Sequence, residues 1–273
     1  MAPLFSIVTV CLNAGNDLRT TAESVINQKL LDYEYIIKDG GSKDGSLEFL
    51  NNDARYSCVK IVCSHDDGIY SAMNQGLESC IGKYVLFLNA GDVFRNCEVL
   101  TRVAEECISE NSPGLVYTDY MTTGLMKTIK SPAKLSRSYL FRTMLCHQVC
   151  YVKRECYEKY GRFSSDLKIE ADYEFLLRLI IKAQVSYKYI PLVSIISLSF
   201  GFASKNIDDG LKEVKILRKK YLSGITGFIY GVIYSMTFPR VRMYLMRNRK
   251  MRHLQKLYLS FVNVCQEIAN KRQ

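Results

Sequence analysis

A chain of 273 residues, 48% of them hydrophobic, is long enough for one large domain with an appendage and can bury a sizeable core. Ten cysteines without a Cys-x-x-Cys pair, most of them inside apolar runs, exclude a disulfide framework and read as reduced thiols in a cytosolic protein. The net charge of +10 belongs to one end: residues 211–273 hold 14 Lys/Arg against 2 Asp/Glu, leaving 23 against 25 in residues 1–210, which excludes a nucleic-acid surface on the main domain and aims the basic end at something anionic.

Residues 4–12 (LFSIVTVCL) predict a buried strand, and no basic segment precedes it, so no secretory leader is expected. Asn13 to Asn16 is a turn, with Asn16 or Asp17 capping a helix to about Gln28. Residues 33–38 form a second strand. The loop Asp39 to Ser46 follows, rich in residues that allow tight turns and close approach of backbone to a ligand. A plain turn with Ser46 capping a helix over 47–52 is the other reading. Residues 59–63 are a third strand.

Asp66 and Asp67 then open a helix in which Ile69, Ala72, Met73, Gly76 and Leu77 share one face. Tyr84 to Leu88 is a continuous apolar run, as expected of a central parallel strand covered on both faces. It stops at Asn89-Ala90-Gly91-Asp92. That places a carboxylate beyond the carboxyl end of a strand, where open α/β sheets bind ligands. A helix over 97–109, a strand over 114–118 ending at Asp119, and a hairpin over 120–131 come next. The alternation implies a parallel sheet with right-handed crossovers. No GxGxxG opens the first helix, so a dinucleotide site is not expected.

Residues 133–145 read as a helix, 148–152 as a short strand after His147-Gln148, and 153–160 as a helix closed by Gly161. Cys146, His147, Cys150 and Cys156 cluster, but their spacing matches no typical zinc site. Glu170 and Asp172 open a further helix. They suit the helix dipole there, or Asp172 faces the crevice as a base. A strand over 185–197, a polar loop and a basic helix over 208–221 follow. Residues 222–238 carry no charge but are short for a bilayer span. Beyond Pro239, residues 240–256 hold seven Lys/Arg interleaved with apolar residues, a pattern that fits the membrane interface; a helical cap on the domain or a dimer contact is the alternative.

FSIVTVCLN, IIKDGGSKDGS, DDGIYSAMNQGLESCIGKYVLFLNAGD and an acidic helix start, in this order over residues 4–200, resemble the family 2 glycosyltransferases of the GT-A fold, nearest to bacterial enzymes of polysaccharide and O-antigen assembly. The resemblance implies a Rossmann-like, mostly parallel α/β sheet over residues 1–205, with a nucleotide-sugar half to about 119 and an acceptor half over 120–205. Residues 206–273 would be a basic helical tail. It implies inverting, metal-dependent transfer of a hexose from a UDP-sugar to an undecaprenyl-diphosphate-linked saccharide, at the cytoplasmic face of the inner membrane. Thr9, Asn13, Asp39, Asp66 and Asn89 would line the nucleotide site. Asp92 would ligate Mn²⁺ or Mg²⁺, and Asp172 would be the general base. Asp119, His147, Gln148, Glu170 and Lys205 would lie near the acceptor or the phosphates. The usual DxD is Asn89-Ala90-Gly91-Asp92 here, which leaves a nucleotide-sugar binding protein without turnover as the alternative. A nucleotidyltransferase would carry a basic, Gly-rich first loop, which Asn13 to Asp17 lacks.

Overall fold

The computed structural model describes residues 2–109, 112–123, 127–197 and 206–222. The chain divides into two units, Met1–Leu217 and Arg218–Gln273, and of the second only residues 218–222 are described. The first unit is built on one nine-stranded sheet. Its strands in chain order are β1 (Phe5–Cys11), β2 (Tyr33–Asp39), β3 (Val59–Cys63), β4 (Tyr84–Phe87), β5 (Asp92–Phe94), β6 (Leu115–Thr122), β7 (Lys127–Ile129), β8 (Cys150–Lys153) and β9 (Tyr187–Ser197).

The spatial order is β3-β2-β1-β4-β8-β6-β9-β5, with β7 hairpinned onto β6. β1 pairs in parallel with both β2 and β4, and all seven of its residues are buried, which is why its sequence is apolar or small throughout. β3, β2, β1, β4, β6 and β9 run one way; β8, β5 and β7 oppose them. β5, β7 and β8 are the departures from an all-parallel reading. β8 inserts between β4 and β6, so the polar turn preceding it arrives at the same end of the sheet as the carboxyl ends of β1, β2 and β4.

The helices are α1 (Gly15–Ile26), α2 (Glu48–Asn52), α3 (Ile69–Glu78), α4 (Val99–Cys107), α5 (Arg137–Arg142), α6 (Arg154–Tyr160), α7 (Ala171–Leu177) and α8 (Ile207–Tyr221). α3 lies on β1 and β2 and buries Tyr70, Ala72, Met73, Gly76 and Leu77. A Cβ at Gly76 would sit 2.7 Å from Val8 Cγ1, so the missing side chain sets how closely the helix approaches the sheet. α5 is shorter than the expected helix over 133–145: Ser136 is extended and accepts from Tyr139 N, and Thr143 is extended beyond it. Among the described residues no helix is long and apolar enough to cross a membrane. The uncharged stretch 222–238, apart from Leu222, and the basic stretch 240–256 lie outside the described residues.

Candidate active site

At the carboxyl end of β1 and β2 two loops are stitched together. Asn13 N donates to Ser42 Oγ at 2.8 Å, Lys43 N to Asn13 Oδ1 at 2.9 Å, and Gly15 N to Asp44 Oδ2 at 2.9 Å. Asn13 holds φ at 51°, in the left-handed region that asparagine tolerates better than most residues. It therefore forms the rim. Thr9 lies below it, fully buried in β1, with Oγ1 accepting from Tyr35 Oη at 3.0 Å.

Asp39 ends β2 and is 2% exposed. Its Oδ2 accepts from Gly41 N (2.8 Å) and Ser42 N (2.9 Å), and its Oδ1 from the Ser42 hydroxyl (2.5 Å). Burial pushes the carboxyl up, but the Ser42 and Gly41 hydrogen bonds outweigh it and hold Asp39 below the ordinary aspartate range. Beside it, Lys38 is wholly buried. Its ammonium donates to Asp39 O (2.9 Å), Ser64 O (2.7 Å) and Asp66 Oδ2 (2.9 Å), using all three of its hydrogens. A buried charge needs this complement. Asp66 is thus tied to Lys38 rather than open to solvent. Gly40 leaves it room: a Cβ there would lie 2.8 Å from Asp66 Oδ2.

The turn after β4 is pinned from α1. Thr21 Oγ1 accepts from Gly91 N (2.9 Å) and donates to Asp92 O (2.8 Å), and Gly91 takes φ of 95°. Asp92 then opens β5 opposite Ser197 of β9 and is 2% exposed. Burial pushes its carboxyl above the usual range, against hydrogen bonding from Ser197 and Gln148. Asp92 Oδ2 accepts from Gln148 Nε2 at 2.9 Å. Two oxygens of this turn, Asn89 Oδ1 and Asp92 Oδ1, are buried without a partner at hydrogen-bond geometry.

His147 and Gln148 lie on a 3₁₀ turn, His147–Val149, which leads into β8. His147 Nδ1 is 2.9 Å from Asp172 Oδ2, and its Nε2 is 3.3 Å from Asn89 Nδ2. Asn89 can only donate there and Asp172 only accept, so the pattern fits neutral imidazole with its hydrogen on Nδ1. Asp172 sits in the first turn of α7. Its Oδ1 accepts from Tyr173 N (2.8 Å) and faces Tyr70 Oη (3.0 Å), whose hydrogen also reaches Ile169 O (2.5 Å). Burial and then the Asp172 charge push the Tyr70 phenol far up, so it stays a donor. Asn89, His147, Asp172 and Tyr70 form one chain of hydrogen bonds, and Gln148 ties Asp92 to the same turn. Behind His147 and Asp172 the wall is aromatic: Tyr157 stacks on Phe175 at 4.5 Å, and Phe163 packs edge-on to both.

The remaining expected residues serve elsewhere or lie outside. Asp119 Oδ1 accepts from Ser131 N (2.7 Å) and Tyr189 Oη (2.9 Å), which commits it to the base of the β6–β7 hairpin. Glu170 occupies the N-cap position of α7 without a side-chain capping bond and packs beside Gly210 of α8. Lys205 lies outside the described residues. Cys146 donates to Gln148 Oε1 and Cys150 to Cys146 O, so these thiols brace the turn, and burial pushes Cys146 up to about 12. No local pattern marks Lys38, Tyr70 or the Gln148–Asp92 bond.

This order of motifs on this sheet is matched by a known family. The family model described as glycosyl transferase family 2 covers residues 6–156. The chain belongs to glycosyl transferase family 2. As a glycosyltransferase it is 30% identical over 243 residues to a PGL/p-HBAD biosynthesis glycosyltransferase of Mycobacterium bovis, spanning 88% of this chain and 93% of that protein. In fold this family 2 glycosyltransferase is similar to S. aureus TarS, with a TM-score of 0.64 at 14% identity over 82% of this chain and 67% of that one. It is also similar to the mannosyltransferase PcManGT of Pyrobaculum calidifontis, at 0.63 and 12%, over 100% and 89% of the two chains. The GT-A architecture expected from the motifs is the one found.

Proposed function

We propose that this glycosyltransferase moves a hexose, with inversion, from a UDP-sugar to a saccharide hydroxyl, with Asp172 as general base. The observation that carries the reading is the adjacent pair His147 and Gln148, which brings Asp172 and Asp92 into one cluster at the carboxyl end of the sheet. A sugar hydroxyl is a weak nucleophile at neutral pH. The Asp172 carboxylate would take its proton while the oxygen attacks the anomeric carbon from the face opposite the diphosphate; the bond to the diphosphate breaks, and its electron pair leaves with it. A positioned base of this kind contributes about 10²–10⁴-fold. His147 and Tyr70, each bonded to one Asp172 oxygen, would fix its orientation.

The residues present fit a hard cation. Asn89 Oδ1 and Asp92 Oδ1 are buried oxygens without hydrogen-bond partners, the donor type that Mn²⁺ and Mg²⁺ prefer. Among the described residues no group of three His, Cys, Asp or Glu is arranged to hold a metal, so donor phosphates would complete the coordination. Bound there, the cation would neutralise charge on the departing diphosphate. A nucleotide-sugar donor draws support from TarS, solved with UDP and with UDP-GlcNAc, and from PcManGT, solved with GDP-Man and Mn²⁺. A lipid-linked saccharide acceptor at the anionic inner face of the cell membrane draws its support from the 14 Lys/Arg of residues 211–273.

The test is a panel of UDP-, GDP- and dTDP-sugars with Mn²⁺ and a lipid-diphosphate saccharide acceptor. Turnover of a UDP-sugar that is abolished by Asp172→Asn, with UDP binding retained, is the expected result. Absence of turnover and of UDP binding across the panel would sink the reading.

A further inference from the structure

The segment that delivers Asp172 is held from α8. Glu213, half-buried on that helix, accepts three consecutive backbone hydrogens: Lys168 N on Oε1 (2.9 Å), and Ile169 N (3.1 Å) and Glu170 N (2.9 Å) on Oε2. These amides come immediately before α7 and have no helical partner, so without Glu213 they would lose their acceptor. The carbonyl of Ile169, between them, is the one that Tyr70 Oη meets at 2.5 Å while also facing Asp172 Oδ1. Contact is close: a Cβ at Gly210 would lie 3.1 Å from Glu170 Oε1 and 3.3 Å from Ile169 Cγ2.

We infer that Glu213 is a positioning residue for the transfer reaction, acting through Ile169 and Tyr70 on the Asp172 carboxylate. The inference rests on the base role proposed for Asp172. One carboxylate fixes three peptide units in a row. That sets where the Ile169 carbonyl points, hence where the Tyr70 hydroxyl sits, hence which way Asp172 Oδ1 faces. Charge-assisted bonds to backbone hydrogens are short and directional, and Gln in place of Glu presents one acceptor oxygen instead of two. α8 is therefore part of the catalytic apparatus although no group on it need touch substrate.

The experiment uses the full chain with Mn²⁺ and whichever of UDP-GlcNAc, UDP-glucose or GDP-mannose the wild type hydrolyses. Glu213→Gln should lower kcat about tenfold while KM and the thermal shift given by UDP stay within about twofold. Glu213→Asp, which keeps both oxygens, should recover part of the loss. Tyr70→Phe should also lower kcat, and the double variant Glu213→Gln/Tyr70→Phe should be no slower than the slower single, because both act through the same carbonyl. A bracing role alone would lower the melting temperature and leave the kcat of Glu213→Gln unchanged, whereas action independent of Tyr70 would make the two losses of kcat multiply in the double variant; either kinetic result overturns the inference. Asp172→Asn separates the two claims. If it abolishes hydrolysis while Glu213→Gln does not slow it, only the role of Glu213 falls. If Asp172→Asn keeps the wild-type rate, the base role falls and takes this inference with it.

Discussion

His147 and Asp172 stand 25 positions apart in the chain and meet through Nδ1 and Oδ2 at 2.9 Å, at a place where the Asp172 side chain is 8% exposed. The imidazole is the group that holds one of the two carboxylate oxygens. His147→Gln should lower kcat about 10- to 100-fold, since a hydrogen bond to a charged group is worth about 1.5–3 kcal/mol. UDP affinity should be unchanged. Steady-state kinetics beside a UDP thermal-shift titration checks both halves.

Asp92→Asn should remove the dependence of turnover on Mn²⁺ concentration together with most of the turnover. The substituted amide keeps one oxygen for the orphan site but loses the charge that a divalent ion requires. Asn89→Ala should raise the Mn²⁺ concentration needed for half-maximal rate with less effect at saturation. Metal titrations of the rate distinguish the two variants.

Lys38→Met should destabilise the fold by about 3–5 kcal/mol, the usual cost of breaking a buried pair. It strands the Asp66 carboxylate and removes the ammonium from the Ser64 carbonyl and from the Asp39 carbonyl, which keeps only Ser64 N. Urea unfolding of the variant reads this directly. A shift under 1 kcal/mol would show that water replaces the ammonium at little cost.

Asp39 carries a pH signature. Its carboxyl is held below the ordinary value in the folded state, so it adds stability at every pH above the unfolded value of about 3.9 and loses it as pH falls through the folded one. Asp39→Asn should therefore melt below wild type at pH 7, and the gap should close progressively on acidification below about pH 4. Melting curves of both proteins from pH 7 to pH 3 test the sign.

The strand and helix order was legible because apolar runs and 3.6-residue spacing mark elements that bury their faces, as in Tyr84–Phe87 and Ile69–Glu78. The direction of β8 was not. Its residues Cys150–Lys153 carry no period long enough to say which neighbours they join, and strand direction follows from tertiary pairing. Asp39, Asp92 and Asp172 stood out because acids at strand and helix ends are conspicuous. The resemblance also names His147 and Gln148, which meet Asp172 and Asp92, but not Lys38 or Tyr70. Lys38 reads as one more residue of a strand, and only the folded approach of residues 64–66 to the end of β2 explains why its Nζ meets three oxygens. Glu213 lies 43 residues from the Glu170 amide it holds, beyond the reach of any local pattern.

On the proposed function, in which the stitched rim formed by Asn13, Ser42, Lys43, Gly15 and Asp44 lines the nucleotide, it bears on how donor preference would be re-engineered. Each bond there joins one loop to the other, so neither can adopt a new shape while its mate stays as it is. Exchanging a single segment for that of a relative with a different nucleotide would leave donors and acceptors mismatched across the seam. A chimera that accepts a new base must carry residues 12–16 and 40–46 across together.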